Sequence, residues 1–261
     1  MNKLQTIELS ILRDFDAFCK EHSLQYFLSE GTLLGALRHQ GFIPWDDDID
    51  VMMPREDYEK FLKIAPSKID TDVYQLQHAS TVENYWSPFA KLRLLKHDGA
   101  FMQDKIAHLT DANGPLLDIF PLDSVPRANS FAQRLNGLWI RLLRRLLALK
   151  LKTHKPTTHK QRILSLLTPF FSVRGILGRL DHSFKRFNKP SNQYVVNWGS
   201  YYLASKETFA REYVFSETPR LESFEGELFP VPFHAEKVLS KIYGDYMTLP
   251  SQEERDRKLH F

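Results

Sequence analysis

Four carboxylates, Asp46, Asp47, Asp48 and Asp50, stand within five positions of the stretch GFIPWDDDIDVMMP (41–54), and an apolar run follows at once. In a β-strand, successive side chains point to opposite faces. Asp46, Asp48 and Asp50 then share one face, while Asp47, Ile49, Val51 and Met53 share the other, which needs a core from position 49 onward. Asp48 and Asp50 come about 6–7 Å apart along such a strand. Two like charges at that spacing on a half-buried sheet repel unless a cation lies between them. An all-oxygen donor set suits Mg²⁺ or Mn²⁺, which take one or two protein carboxylates and complete their shell with substrate phosphate and water. A solvated acidic loop leading into a strand would need no such ion.

Two further features weigh against the plain loop. Upstream lies GTLLGALRH (31–39), where Gly31 and Thr32 open a helix. Free N–H groups and the positive end of the helix dipole make such a start an anion site. Downstream, Asp118 interrupts the apolar, strand-like run LLDIFPLD (116–123), where an unpartnered carboxylate would be costly. It is a candidate third metal ligand. Asp123 in the same run competes for that place, and a strand-end acid capping a neighbouring turn is the alternative for either.

The elements that must position these groups are legible as a coarse pattern. The expected order is a helix over 4–21, a strand near Leu24–Leu28, the Gly31 helix ending at Gly41, and a strand over Asp47–Met53. Pro54 then suits the first position of a helix whose Tyr58, Phe61 and Leu62 share a face. Tyr74–Gln77, Phe89–Leu95 and 116–123 read as strands, and FHAEKVLSKIYG (233–244) as a helix stopped by Gly244. Helices interleaved with short strands imply an α/β (α+β) domain around one small mixed sheet. At 261 residues and 43% apolar content the chain can bury a core. The lone Cys19, at helical spacing with Phe15 and Phe18, reads as packing and suits a reducing compartment. Glu8, Asp14 and Asp16 break up the first apolar face, which does not fit a signal peptide, so a cytoplasmic location is expected.

Residues 127–189 differ in character. They hold fifteen Lys or Arg and one acid, Asp181, a net +14 against +3 for the whole chain. LNGLWIRLLRRLLALKLK and RILSLLTPFFSVRGILGRL are apolar and basic together, with THKPTTHK as the turn between them. Such helices suit an anionic membrane surface on the inner face of the cytoplasmic membrane, or ordinary packing with a basic solvated face. Nucleic acid is not expected as a partner, because no recognition motif accompanies the charge. The expected division is a core over 1–126, a basic helical segment over 127–190, and a C-terminal part over 191–261 that packs back on the core.

The run SEGTLLGALRHQGFIPWDDDIDVMMPREDYEKF (29–61) closely resembles the LicD family, and the resemblance continues in FAKLR (89–93), in LLDIFPLD, and in F-x-G-x-x-F-P-V-P…VLSKIYGDYMTLP (224–250). That family is similar in fold to nucleotidyltransferases, whose pattern is hG[GS], a gap, [DE]h[DE]h and a third acid on a later strand. On that pattern the carboxylate pair is Asp48 and Asp50 and the third acid Asp118. Glu30 stands where the family has an apolar residue, and Thr32 where it has Gly or Ser. The resemblance implies metal-dependent transfer of phosphocholine, or a related head group, from CDP-choline to a hydroxyl of a bacterial surface glycan or lipid-linked oligosaccharide.

Under that reading Asp48, Asp50 and Asp118 are the catalytic and metal residues. Gly31 and Thr32 hold a phosphate, and Arg38 and Lys91 are further phosphate contacts. A quaternary ammonium needs aromatic faces. Trp45, beside the acidic strand, leads the candidates, followed by Tyr85, Trp86, Trp198, Tyr201 and Tyr202; His39 is a candidate ligand or base. The competing functions are a nucleotidyltransferase, a nucleotide-sugar-dependent glycosyltransferase and a non-catalytic membrane-docking protein.

Overall fold

The computed structural model of the chain describes residues 1–46, 48–83, 85–96, 114–128, 130–153, 155–199 and 207–256. Helix α1 (Lys3–Glu21) opens on a capping box, with Asn2 and Gln5 exchanging side-chain-to-backbone hydrogen bonds, and buries Leu9, Ile11, Leu12, Phe15 and Cys19. The short β1 (Phe27–Leu28) and α2 (Glu30–His39) lead to β2 (Ile49–Pro54) and α3 (Arg55–Ile64). Strands β3 (Tyr74–Gln77), β4 (Ala90–Leu94) and β5 (Leu116–Val125) precede three helices, α4 (Phe131–Lys150), α5 (His159–Leu167) and α6 (Val173–Lys185). Next come β6 (Tyr194–Asn197), β7 (Thr208–Ala210) and α7 (Arg211–Val214), then the hairpin β8 (Arg220–Phe224) and β9 (Glu227–Val231). Helices α8 (Ala235–Tyr243) and α9 (Gln252–Asp256) end the described chain.

Among the described residues, one seven-stranded mixed sheet organises the fold, with spatial order β1-β2-β5-β4-β3 and with β6 and β7 continuing from β5. This is the α+β layout expected from the pattern. The central strand is β5. One edge pairs with β2 in parallel from Leu117 to Leu122. The other pairs with β4 over Leu116–Ile119 and then with β6 over Leu122–Val125. Pro121, which has no N–H to give to a ladder, falls between those two partners, the position where a proline interrupts a central strand least.

Several boundaries differ from the sequence expectation for identifiable reasons. Strand β1 is two residues long rather than five. Helix α2 begins at Glu30, one residue early, and its left-handed cap is Gln40 (φ 56°) rather than Gly41. The Glu225 side chain lies where a Cβ at Gly41 would be. Strand β2 starts at Ile49, Asp47 lies outside the described residues, and Pro54 closes the strand instead of opening α3. Strand β2 is also buried on both faces, since Met52 beside Asp50 is as enclosed as Val51 and Met53.

The basic segment folds onto the sheet. Ile140, Leu143 and Leu147 of α4 and Ile176, Leu180 and Phe184 of α6 form a second core with Val125, Val196 and Trp198. THKPTTHK only partly separates α4 from α5, since its last two residues, His159 and Lys160, already open α5, which Thr158 caps through a box with Gln161. Arg55, the first residue of α3, ties this segment to the sheet. Its Nε and Nη2 donate to the two oxygens of fully buried Asp123, at 2.8 and 2.7 Å, and its Nη1 to Asp181 of α6 at 3.1 Å. Asn188 donates to Asp123 Oδ1 as well, at 2.6 Å.

Candidate active site

The parallel register of β2 and β5 sets the site, because it places Asp50 directly beside Asp118. Antiparallel β4 then sets Lys91 opposite Asp118, and Lys91 Nζ lies 2.6 Å from Asp118 Oδ1. Asp118 and Asp123 are five residues apart in one strand, so their side chains leave opposite faces. Asp118 lines the cleft, whereas Asp123 is committed to Arg55 and Asn188. That parity is the signal that separates the two candidates for the third acid.

The start of α2 closes against the same strand. Asp50 N–H donates to Thr32 Oγ1 at 2.8 Å, and Ser29 N–H donates to Asp50 C=O at 3.0 Å. The Thr32 hydroxyl assigned to a phosphate in the sequence therefore braces the backbone of Asp50 and is itself buried. Glu30 adopts a left-handed conformation (φ 46°), rare for a side chain of its size, and accepts a hydrogen bond from Asn197 Nδ2 at 3.3 Å. At Gly31 the Asp46 carboxylate lies where a Cβ would be, so any larger residue there would displace that side chain. The acidic turn thus lies directly on the helix start.

These groups line a cleft of about 660 Å³ between α2, the strand ends of β2 and β5, and the segment after α8. Glu30, Asp46, Asp48, Asp50, Asp118 and Asp245 contribute carboxylates, and Arg38 is the cation among the described lining residues. Asp50 is buried and its proton affinity is raised well above the usual carboxylate range. Burial is the main cause, followed by the charges of Asp48, Asp118, Glu30 and Asp46. Asp48 is exposed at the mouth. All three expected acids line one cleft, but among the described residues no group of three His, Cys, Asp or Glu side chains is placed to hold a metal ion by itself. Mg²⁺ and Mn²⁺ use one or two protein carboxylates and complete their shell with substrate oxygens, so the all-oxygen donors Asp48, Asp50 and Asp118 in this cleft are chemically suited to such an ion.

The remaining candidates separate clearly. Arg38 lines the cleft and donates from Nη1 to the Tyr246 carbonyl at 2.7 Å. Burial lowers its proton affinity. Lys91 is buried, ion-paired to Asp118 and 5.5 Å over the Trp86 ring. Trp45 lines the cleft, with the Arg255 guanidinium 5.2 Å over its ring. Tyr85 and Trp198 are core residues, and Tyr201 and Tyr202 lie outside the described residues. His39 packs its ring edge-on to Trp45 at 5.9 Å; its proton affinity is lowered by burial first and by Arg38 second. The sequence reading missed Tyr243, Tyr246 and Phe120, which line the cleft with Trp45. Two aromatics flanking the Gly244 helix stop were the available signal.

The Thr32 brace gives a test. Thr32→Val leaves the buried Asp50 N–H without its acceptor and should cost about 1–3 kcal/mol. Thermal denaturation should show that loss, while Thr32→Ser, which keeps the acceptor, should melt near wild type.

Comparison with known proteins bears on this geometry. Residues 23–133 match the LicD family model, described as LicD/FKTN/FKRP, nucleotidyltransferase domain. The chain is 32% identical over 268 aligned positions to the lipopolysaccharide cholinephosphotransferase LicD of Haemophilus influenzae, covering 100% of this chain and 95% of that protein. Shorter matches, each over 22% of the chain, reach uncharacterized proteins of Rickettsia typhi (41% identical, 18% of that protein) and Rickettsia prowazekii (39% identical, 21% of that protein).

Proposed function

The chain belongs to the LicD family, and from that premise we propose that it transfers phosphocholine, or a closely related phosphoryl head group, from a CDP-activated donor to a hydroxyl of a cell-surface glycan. The observation that carries the reading is the alignment of Asp50 with Asp118 on adjacent parallel strands, facing a cleft that also holds the start of α2.

Asp50 and Asp118, with Asp48 at the mouth, are the residues that would hold Mg²⁺ or Mn²⁺. Bound there, the ion would neutralise the donor's diphosphate and the departing CMP. The chain's own groups do the positioning. Gly31 lines the cleft at the start of α2 beside Asp46, Arg38 offers a guanidinium to the same space, and Lys91 fixes the Asp118 carboxylate. Trp45, Tyr243 and Tyr246 supply aromatic faces suited to a trimethylammonium group. The acceptor oxygen attacks the phosphorus nearer choline. Its O–P bond forms as the bond from that phosphorus to the CMP phosphate oxygen breaks, and the hydroxyl proton passes to a cleft carboxylate.

The test is product analysis with CDP-choline, glycan acceptor and Mg²⁺. Release of CMP that stops on chelation is the expected result. Pyrophosphate from CTP, with no CMP from CDP-choline, would instead mark a nucleotidyltransferase and overturn the assignment.

A further inference from the structure

The basic helical segment buries one side and leaves the other bare and apolar. On α4, Phe131, Leu135, Leu138, Trp139 and Leu142 are exposed, Phe131 by 76%. At 3.6 residues per turn these five fall within an arc of about 100°. Arg134, Arg141 and Arg145, also exposed, follow one edge of that stripe. The opposite face of α4 is the one that enters the second core.

Helix α5 packs on α4 and has no buried residue of its own. Its Ile163, Leu166 and Leu167 share a second arc of similar width, and with Phe170 just beyond they stand exposed, Leu166 by 72% and Phe170 by 81%. Lys160 and Arg162 are exposed beside them. A folded chain rarely leaves so many large apolar side chains in water unless something covers them.

We infer that this face docks on an anionic lipid bilayer, with the apolar side chains at the headgroup–acyl boundary and the flanking arginines and lysines on lipid phosphates. Charge decides among occupants. The segment 127–189 carries a net +14, so a second copy would bring two strongly positive faces together. A nucleic acid would satisfy the charge but leave the leucines and Phe170 uncovered. Only an anionic interface meets both halves of the pattern. The segment lies on the bilayer rather than through it: among the described residues no single helix is long and apolar enough to cross, and in the bent pair His159–Phe170 and Val173–Lys185, which passes on length and composition alone, the second helix is packed into the second core. The inference is independent of the catalytic reading.

Vesicle flotation tests it. The protein should float with phosphatidylglycerol/phosphatidylcholine vesicles at low salt, be released by high salt, and stay unbound with phosphatidylcholine alone. Trp139 emission should shift to the blue on binding. L138Q/L142Q/L166Q, all at exposed positions, should weaken partitioning at least ~10-fold with unchanged melting. Should that variant fail to fold, R134Q/R141Q/R145Q serves in its place with the same expected loss. Absence of flotation at low salt, or flotation undiminished in the substituted protein, overturns the inference. So does wild-type self-association in lipid-free solution that these substitutions abolish, since the face would then be a contact between copies.

Discussion

Asp50→Asn should lower transfer at least ~100-fold, the scale lost when a charge-positioning group is removed from a reacting centre, and should nevertheless raise the melting temperature of the metal-free protein. The two effects have one cause. Burial and four neighbouring carboxylates raise the proton affinity of Asp50. In the folded protein its proton is therefore held to higher pH than in the unfolded chain. Stability from this residue is fully present below the ordinary carboxylate range and is lost as pH rises through the folded value. Above the ordinary carboxylate range this carboxyl therefore costs the folded state stability, and asparagine removes that cost.

A divalent cation reverses the balance, because it binds the folded wild-type protein and stabilises it by mass action. Melting curves with and without Mg²⁺, run on both proteins alongside CMP release, should show a rise for wild type and little for the variant. Asp48→Asn, at an exposed position, should leave the metal-free melting temperature nearly unchanged while still reducing transfer. Activity of Asp50→Asn within a few fold of wild type, with the Mg²⁺-induced shift retained, would falsify the site.

Which parts of this site were legible in the sequence follows from the range of the interactions involved. Period-two alternation is local, so, although β2 itself starts at Ile49 and leaves Asp48 outside it, the acidic approach to an apolar strand is written in a few residues. The coincidence of Asp50 with Asp118 is not, because parallel pairing across 68 positions is decided by the packing of everything between. The resemblance to a known family supplied that third acid before the register did. Thr32 illustrates the limit from the other side: its residue type suggested a phosphate ligand, and only the fold reveals that its hydroxyl receives the Asp50 N–H. Tyr243 and Tyr246 reach the cleft because α8 returns to α2, a tertiary event that their place beside the Gly244 stop only hints at. The basic segment left two readings open, packing or a surface, and the helices have one face for each.

The largest expected effect on stability lies behind the site, at Arg55. Asp123 is fully buried, and its bidentate partner is the guanidinium that also reaches Asp181 on α6. Replacing one member of a buried pair strands the other charge, at a cost of about 3–5 kcal/mol. Arg55→Met should therefore lower the melting temperature by roughly 6–20 °C for a chain of this size. The double variant R55M/D123L, which removes both charges, should recover much of that loss, and a double-mutant cycle measures the coupling. Asp123 leaves the face of β5 opposite Asp118, so transfer assayed well below the lowered melting temperature should stay within a few fold of wild type. A loss of transfer at low temperature as deep as that of Asp50→Asn would mean instead that the clamp between α3, β5 and α6 sets the position of the acids across the strand.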